Sequence, residues 1–233
     1  MNETNYFSPG EYVDKDPSVK NTSSANESMF TGIRLKFFLN PGGTGKVQVD
    51  ETTFLKFVAI YNSYNSDSTK TAGYNTTNWT EMTSTSKTAI ETPTASAGNV
   101  DDFSSAANYS SLAKYFKYKT TLAQNDTTNP IFKSVKPNGN ILIPATDTAL
   151  SGRTTKFATT NEYGGKAYSA MTDDEKRTFL SYVGDHLTDT YYFDSFDFEI
   201  DIDGYGVKYD SGNASADELG DVIQTITDGL AGM

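Results

Sequence analysis

The chain has 233 residues, a formal net charge of −11 and no cysteine. That length is enough to bury a core, but the negative charge argues against nucleic acid as the main partner, because a phosphate backbone requires a cationic patch. The lack of cysteine excludes disulfides and thiolate metal sites. No apolar run approaches a membrane span and residues 1–30 lack the pattern of a secretory leader, so we expect no membrane association and no export by that route.

The first 30 residues predict an extended arm ahead of a single body. The stretch NYFSPGEYVDKD (5–16) places Pro9-Gly10, which favours a tight turn, between two pairs of residues that favour extended backbone. We therefore predict an arm over 1–30 and one domain over 31–233, with a polar insertion rich in Ser, Thr and Asn at about 62–100. An extended arm is suited to adding a strand to the sheet of another subunit.

The first part of the body predicts two strands and a helix. IRLKFFL (33–39) alternates apolar and polar residues like a half-buried strand, NPGGTG (40–45) predicts a turn, and KVQV (46–49) predicts the returning strand. Asp50 predicts the cap of a helix that runs to about Tyr61. In the insertion that follows, Trp79 is the expected anchor point.

The middle of the chain predicts two further helices. One begins near Asp101 and runs through KYFKYK (114–119), and a strand is predicted over NILIP (140–144). Thr172 and Glu175 have the spacing of a capping box, which opens a helix with Phe179, Leu180, Val183 and Leu187 on its inner side.

The C-terminal part predicts a long strand over about 190–203, a turn at Gly204, a return strand to Tyr209 and a last helix opened by Ser215 and Glu218. Together these elements predict an α+β fold: a mixed or antiparallel sheet with three to four helices, an extended N-terminal arm and long polar loops.

The turn NPGGTGKV (40–47) has some of the features of a phosphate-binding loop. Its first position is Asn40 instead of glycine, and Val47 instead of serine or threonine follows Lys46. We interpret this stretch as a hairpin turn.

The stretch FDFEIDIDGYGVKYD (196–210) has acidic residues at calcium-loop positions 1, 3, 5 and 12, namely Glu199, Asp201, Asp203 and Asp210. However, Gly206 replaces the expected aliphatic residue, and apolar and acidic residues alternate strictly. This alternation predicts a strand with one acidic face, and Asp203-Gly204 then predicts a hairpin.

The acidic face of this strand has several interpretations. Two of its carboxylates, with Asp201 as a candidate, could serve glycoside hydrolysis, although equal surroundings argue against a division into acid and base. The face could instead be solvated, discourage wrong strand pairing, or complement a basic neighbour such as KYFKYK (114–119). That basic and aromatic run is also of the type that stacks on single-stranded nucleic acid.

His186 is the only histidine and is predicted in the last turn of the capped helix, where the helix dipole favours a cation. Nothing near it in the sequence could orient it for nucleophilic catalysis. We therefore predict no enzyme, no cofactor and no metal site.

The arm resembles a known family over residues 6–19, YFSPGEYVDKDPSV. Contractile bacteriophage tail sheath proteins open with a similar Ser-Pro-Gly segment followed by an aliphatic and a charged residue. The resemblance implies an arm that leaves its own domain and adds a strand to a neighbouring subunit. The inter-subunit residues that it implies are Tyr6, Phe7, Ser8, Pro9, Gly10, Tyr12 and Val13.

These expectations describe a structural protein of a tailed bacteriophage virion, assembled in the host cytoplasm as a homo-oligomer with other virion proteins as partners. The expected place is in the tail, as a sheath-like, collar or peripheral baseplate protein. The alternatives are a capsid decoration or head–tail joining protein, or a carbohydrate-binding or adhesive surface module that uses Trp79.

Overall fold

A computed structural model describes residues 8–24, 27–42, 45–82, 112–141, 155–157, 168–187, 191–193 and 195–208. These residues form ten strands and two α-helices, so the described part of the chain is mostly β. The expectation of three to four helices was wrong, because segments predicted to be helical are strands or end earlier. The strands are β1 (Val13–Asp14), β2 (Met29–Pro41), β3 (Val47–Val49), β4 (Val58–Tyr61), β5 (Trp79–Met82), β6 (Ala113–Tyr118), β7 (Ser134–Pro137), β8 (Thr155–Phe157), β9 (Tyr191–Phe193) and β10 (Phe196–Lys208); the helices are α1 (Glu51–Phe57) and α2 (Asp173–Asp185).

The strands form three sheets. A three-stranded sheet has the order β1-β7-β4, a larger sheet has the order β10-β2-β6-β5 with β3 paired to β2, and β8 pairs with β9 in parallel. The chain divides into two compact units, one with Met1–Lys15, Lys36–Gly73 and Phe132–Ile200, the other with Asp16–Leu35, Tyr74–Ile131 and Asp201–Met233. The division falls within β2 and within β10.

The first unit is built on helix α1. As predicted, Asp50 caps this helix, because its side chain accepts a hydrogen bond from the Thr53 N–H at 2.8 Å. The predicted end at Tyr61 was wrong: the helix ends at Phe57, and the next four residues, of which Val58 and Ile60 are β-branched, pair with β7 as strand β4. The ring of Phe57 stacks on Phe196, with centroids 5.2 Å apart.

Helix α2 belongs to the same unit and opens with the predicted capping box between Thr172 and Glu175. Its predicted inner residues, which are Phe179, Leu180, Val183 and Leu187, are all buried. Gly184 permits the close approach of α2 to α1, because a Cβ at this position would lie 2.7 Å from the Cβ of Lys56.

In the second unit, the run predicted as the end of a helix is strand β6, which pairs antiparallel with β5. Four consecutive side chains of β6, from Tyr115 to Tyr118, are buried. The sequence pattern predicts Ala113 and Phe116 on the inner side of a helix, but pairing with β5 makes this stretch a strand with buried side chains on both faces. Residues 101–111, which complete the predicted helix, lie outside the described residues.

The predicted hairpin at Asp203-Gly204 was also wrong, because β10 continues through Gly204 and Gly206 to Lys208. A Cβ at Gly204 would lie 3.0 Å from Val19 Cγ2, and one at Gly206 would lie 2.5 Å from Met29 Cε. These glycines therefore make room for side chains that pack against the strand, and they do not form a turn.

Three further predictions fall mostly or wholly outside the described residues. Of the predicted strand over 140–144, Asn140 and Ile141 are described, and they lie in a turn and a bend. The predicted helix that opens at Ser215 and the predicted strand end at Tyr209 are not among the described residues.

A buried ion pair in the second unit gives the first testable expectation. The guanidinium of Arg34, whose side chain is 4% exposed, binds the Asp203 carboxylate through Nε, at 2.9 Å, and through Nη2. The variant Arg34→Ala removes the guanidinium from beside this carboxylate, whose side chain is 17% exposed, so we expect a loss of about 3–5 kcal/mol in the free energy of unfolding.

The control is Lys46→Ala, which breaks a pair with Glu199 whose side chains are 47% and 50% exposed. Exposed pairs contribute below about 1 kcal/mol, so urea unfolding should separate the two variants. Equal losses in the free energy of unfolding would show that burial does not make the Arg34 pair more stabilising than an exposed one.

Candidate functional site: the seat of the N-terminal segment

The structure places five of the seven predicted arm residues, and Tyr6 and Phe7 lie outside the described residues. The described ones belong to residues 8–15, here called the N-terminal segment, which lies along the edge of β7 of its own chain. Its contacts are therefore seen within one chain, and the transfer of the segment to another subunit stays a prediction.

The segment is attached to β7 mainly through its backbone. The N–H of Gly10 donates to the Pro137 carbonyl at 2.9 Å, and that of Lys15 donates to the Lys133 carbonyl at 2.8 Å. Between these bonds, Val13 lies opposite Val135 in antiparallel register. This is the geometry of strand addition, in which main-chain bonds supply most of the attachment.

The predicted Pro-Gly turn opens the segment. The N–H of Glu11 donates to the Ser8 carbonyl at 3.1 Å, and Gly10 has a φ of +84°, which favours glycine. The turn brings Gly10 next to Gly139, whose Cα would lie 3.5 Å from a Cβ at Gly10.

Tyr12 supplies the main side-chain contact of the segment. Its ring meets the ring of Tyr61 edge-on, with centroids 5.0 Å apart. Two ammonium groups lie over the same ring, that of Lys136 at 4.8 Å and that of Lys70 at 4.9 Å from its centroid. An aromatic face attracts cations, so the two lysines help to hold the ring in place.

A loop over residues 62–73, here called the 62–73 loop, contacts the segment from another side. The Asn65 N–H donates to the Asp14 carboxylate at 2.6 Å. The Lys70 ammonium donates to the carbonyls of Tyr64, Asn65 and Asp67, at 2.6, 2.7 and 2.8 Å. Sequence reasoning missed Lys70 and Asn65, since nothing in the sequence distinguishes them from other polar residues of the insertion.

Two tyrosines of the first unit have pKa values above the ordinary value. At Tyr61 the pKa is raised by burial, by the side-chain hydrogen bond with Tyr12 and by the proximity of the Tyr12 phenol. Burial, helped by the charge of Asp173, raises the pKa of Tyr168 strongly. Both phenols therefore stay neutral at physiological pH, and Tyr61 can keep its hydrogen bond to Tyr12.

The acidic residues of β10 do not form one site. Asp203 pairs with Arg34, Glu199 pairs with Lys46 at 2.8 Å, and Asp197 is exposed. Among the described residues no group of three or more histidines or acids is arranged to hold a metal ion, and Asp210 lies outside them.

The basic and aromatic run KYFKYK (114–119) is largely buried, so it does not form an open surface. Tyr115, Phe116, Lys117 and Tyr118 are all buried, and the Lys117 ammonium lies 5.3 Å from the centroid of the Phe30 ring. The lining of a nucleic-acid groove requires exposed rings, which these residues do not offer.

A shallow cleft of about 490 Å³ lies in the first unit, lined by Asp50, Thr53, Arg177, Thr178, Ser181, Tyr182 and Asp185. Its two carboxylates already have structural partners, since Asp50 caps α1 and Asp185 pairs with Lys56 at 2.8 Å. His186, predicted in the last turn, is instead the C-cap that follows α2, and its ring packs against Tyr182 with centroids 4.3 Å apart.

Trp79 anchors the polar insertion, as predicted from the sequence. It is 1% exposed and begins β5, and its indole N–H donates to the Asn129 carbonyl at 2.9 Å. A sugar-binding platform requires an exposed ring, so Trp79 cannot serve the carbohydrate-binding alternative in this fold.

Comparison of the chain with protein-family models, with curated proteins and with solved structures finds no match. Among the described residues, none of the helices has both the length and the apolar character needed to cross a membrane.

The role of Tyr12 can be tested by hydrogen exchange. We expect Tyr12→Ala to speed the exchange of the Gly10 and Lys15 amides about tenfold, because the segment loses its aromatic and cation contacts but keeps its backbone bonds. Glu11→Ala, which removes a neighbouring exposed side chain, should leave both rates unchanged. Similar rates in the two variants would show that Tyr12 does not hold the segment.

Proposed function

We propose that this chain is a structural protein of a tailed bacteriophage particle, placed in the tail as a sheath-like, collar or peripheral baseplate protein. It assembles with copies of itself by donating its N-terminal segment as a strand. The observation that carries the proposal is the pairing of residues 8–15 with the edge of β7, at the place where the sequence resembles the sheath arm.

The way in which the segment is attached supports exchange between copies. Most of its bonds are made by backbone atoms to β7, and the segment of a second copy could make the same bonds. The N-terminal stretch of the first compact unit ends at Lys15, and the next residue, Asp16, is exposed. A short junction of this kind is where a terminal element can pass to a neighbouring subunit without a change in its own contacts.

The proposal includes no enzymatic activity. The carboxylates and the histidine considered from the sequence have structural partners or stand apart from one another: Asp203 binds Arg34, Glu199 binds Lys46, and His186 packs on Tyr182. Acid–base division requires a matched pair in different surroundings near one substrate, and these contacts do not create one.

Removal of residues 1–15 tests the assembly role. We expect the full chain to form rings, tubes or other oligomers and the shortened chain to stay monomeric, as measured by mass in solution and electron microscopy. Tubes or rings of constant diameter favour a place in the tail over capsid decoration or head–tail joining. The control is Glu11→Ala in the full chain, which should assemble normally. A monomeric full chain would count against self-assembly through the segment.

Because the deletion also leaves the edge of β7 open to unspecific pairing, a second test uses engineered cysteines. The chain has no cysteine of its own, and Val13 lies opposite Val135, a position from which a disulfide can form. Copies with Val13→Cys are mixed with copies with Val135→Cys and then oxidised.

If segments pass between copies, we expect a covalent dimer of one copy of each kind on a denaturing gel. Glu11→Cys mixed with Val135→Cys is the control and should give little dimer, because residue 11 does not lie opposite residue 135. Oxidised mixtures in which assembled particles contain no such dimer would rule out exchange of the segment.

A further inference from the structure

The Lys70 ammonium is held in a cage of backbone oxygens. It donates to the carbonyls of Tyr64, Asn65 and Asp67, at distances of 2.6, 2.7 and 2.8 Å. An ammonium group has three hydrogens to donate, and three carbonyls accept from it here. The carbonyl oxygens repel one another unless a cation lies between them, so the loop needs this charge to keep its shape.

The cage is linked directly to the N-terminal segment. The caged ammonium lies 4.9 Å from the centroid of the Tyr12 ring. Asn65, whose carbonyl forms part of the cage, donates its N–H to the Asp14 carboxylate at 2.6 Å. A change in the cage would therefore affect the contacts of two side chains of the segment, Tyr12 and Asp14, while the bonds to β7 are made by backbone atoms.

We infer that the 62–73 loop is a latch for the N-terminal segment and that the caged Lys70 ammonium closes it. With the cation in place, the loop holds Asp14 and the ring of Tyr12, and the segment stays on β7. Without the cation, the carbonyls turn outward to water and the segment leaves β7 more often. In assembly, which rests on the function proposed above, the latch sets how fast a segment becomes free to pass to a neighbouring copy.

Lys136 offers a matched comparison for Lys70. Both ammonium groups lie over the Tyr12 ring at almost the same distance, 4.8 and 4.9 Å from its centroid. Only the Lys70 ammonium is bound by the loop carbonyls in the described part of the chain. If only the cation–π contact mattered, removal of either lysine would loosen the segment equally. If the loop is a latch, removal of Lys70 has the larger effect.

The test measures hydrogen exchange at the Gly10 and Lys15 amides, which bond to β7. We expect Lys70→Ala to speed the exchange about tenfold or more, and Lys136→Ala to speed it less than about threefold. Lys70→Arg keeps the charge but brings a planar group in place of the compact ammonium, so it should behave nearer to Lys70→Ala than to the parent chain. Exchange in α2 should be unchanged in all three variants, which shows that the fold is intact.

Chemical rescue separates the cage from a general loss of stability. The Lys70→Ala variant lacks the atoms of n-propylammonium, so this cation added to the buffer should restore slow exchange. Tetramethylammonium has the same charge but no N–H donor and should not restore it. Unchanged exchange in Lys70→Ala, equal effects in the two lysine variants, failure of n-propylammonium to restore slow exchange, or equal rescue by tetramethylammonium would each overturn the inference.

This measurement is made on the unassembled chain, so it does not depend on the proposed function. A latch that operates in a chain whose segments never pass between copies would support the inference and refute the assembly role. If segments pass between copies but the Lys70 variants show the same hydrogen exchange as the parent chain, the assembly role is supported and the latch is refuted.

Discussion

The hydrogen-bonding groups along the edge of β7 are the constraint on which the three-stranded sheet depends. An edge strand presents unpaired N–H and C=O groups, and a protein must cover them or risk pairing with any other extended chain. Here β4 satisfies one side of β7, and the N-terminal segment satisfies the other. Only the two residues of β1 form regular strand in the segment. On either side of them, Gly10 and Lys15 each donate one backbone hydrogen bond to β7. The edge of β7 is thus covered by a short segment that is held by few main-chain bonds.

The chain uses its lysines in an unusual way for a protein with a net charge of −11. In the described residues, lysine ammonium groups lie over the rings of Phe30, Phe38, Tyr12, Tyr64 and Tyr168. A lysine stem can cover apolar surface while its ammonium group is attracted to the face of a ring. The rings of Tyr12, Phe30, Phe38 and Tyr64 are half-buried, whereas Tyr168 is fully buried. Arg34 plays a different part, because its planar guanidinium can bind Asp203 through two nitrogens in a buried place.

Much of the local structure could be predicted from the sequence because it depends on neighbouring residues. The Asp50 cap, the capping box at Thr172 and the alternating strand around Phe37 all follow from contacts a few residues apart. The errors arose where residues far apart in the sequence determine the local structure. Val58–Tyr61 is a strand because β7 lies beside it, β6 is one because β5 pairs with it, and Gly204 makes room for Val19. The candidate site also combines predictable and unpredictable parts. The Pro-Gly turn of the segment could be predicted from the sequence, but the Lys70 cage depends on how the 62–73 loop folds.

The position of Trp79 has a practical consequence for any spectroscopic study. It is the only tryptophan of the chain, it is buried, and it belongs to the second compact unit. Its emission therefore reports on that unit alone, whereas the circular dichroism of helices α1 and α2 reports on the first. Coincident denaturation curves from the two signals would mean that the units unfold as one cooperative system, and separate curves would give each unit a stability of its own.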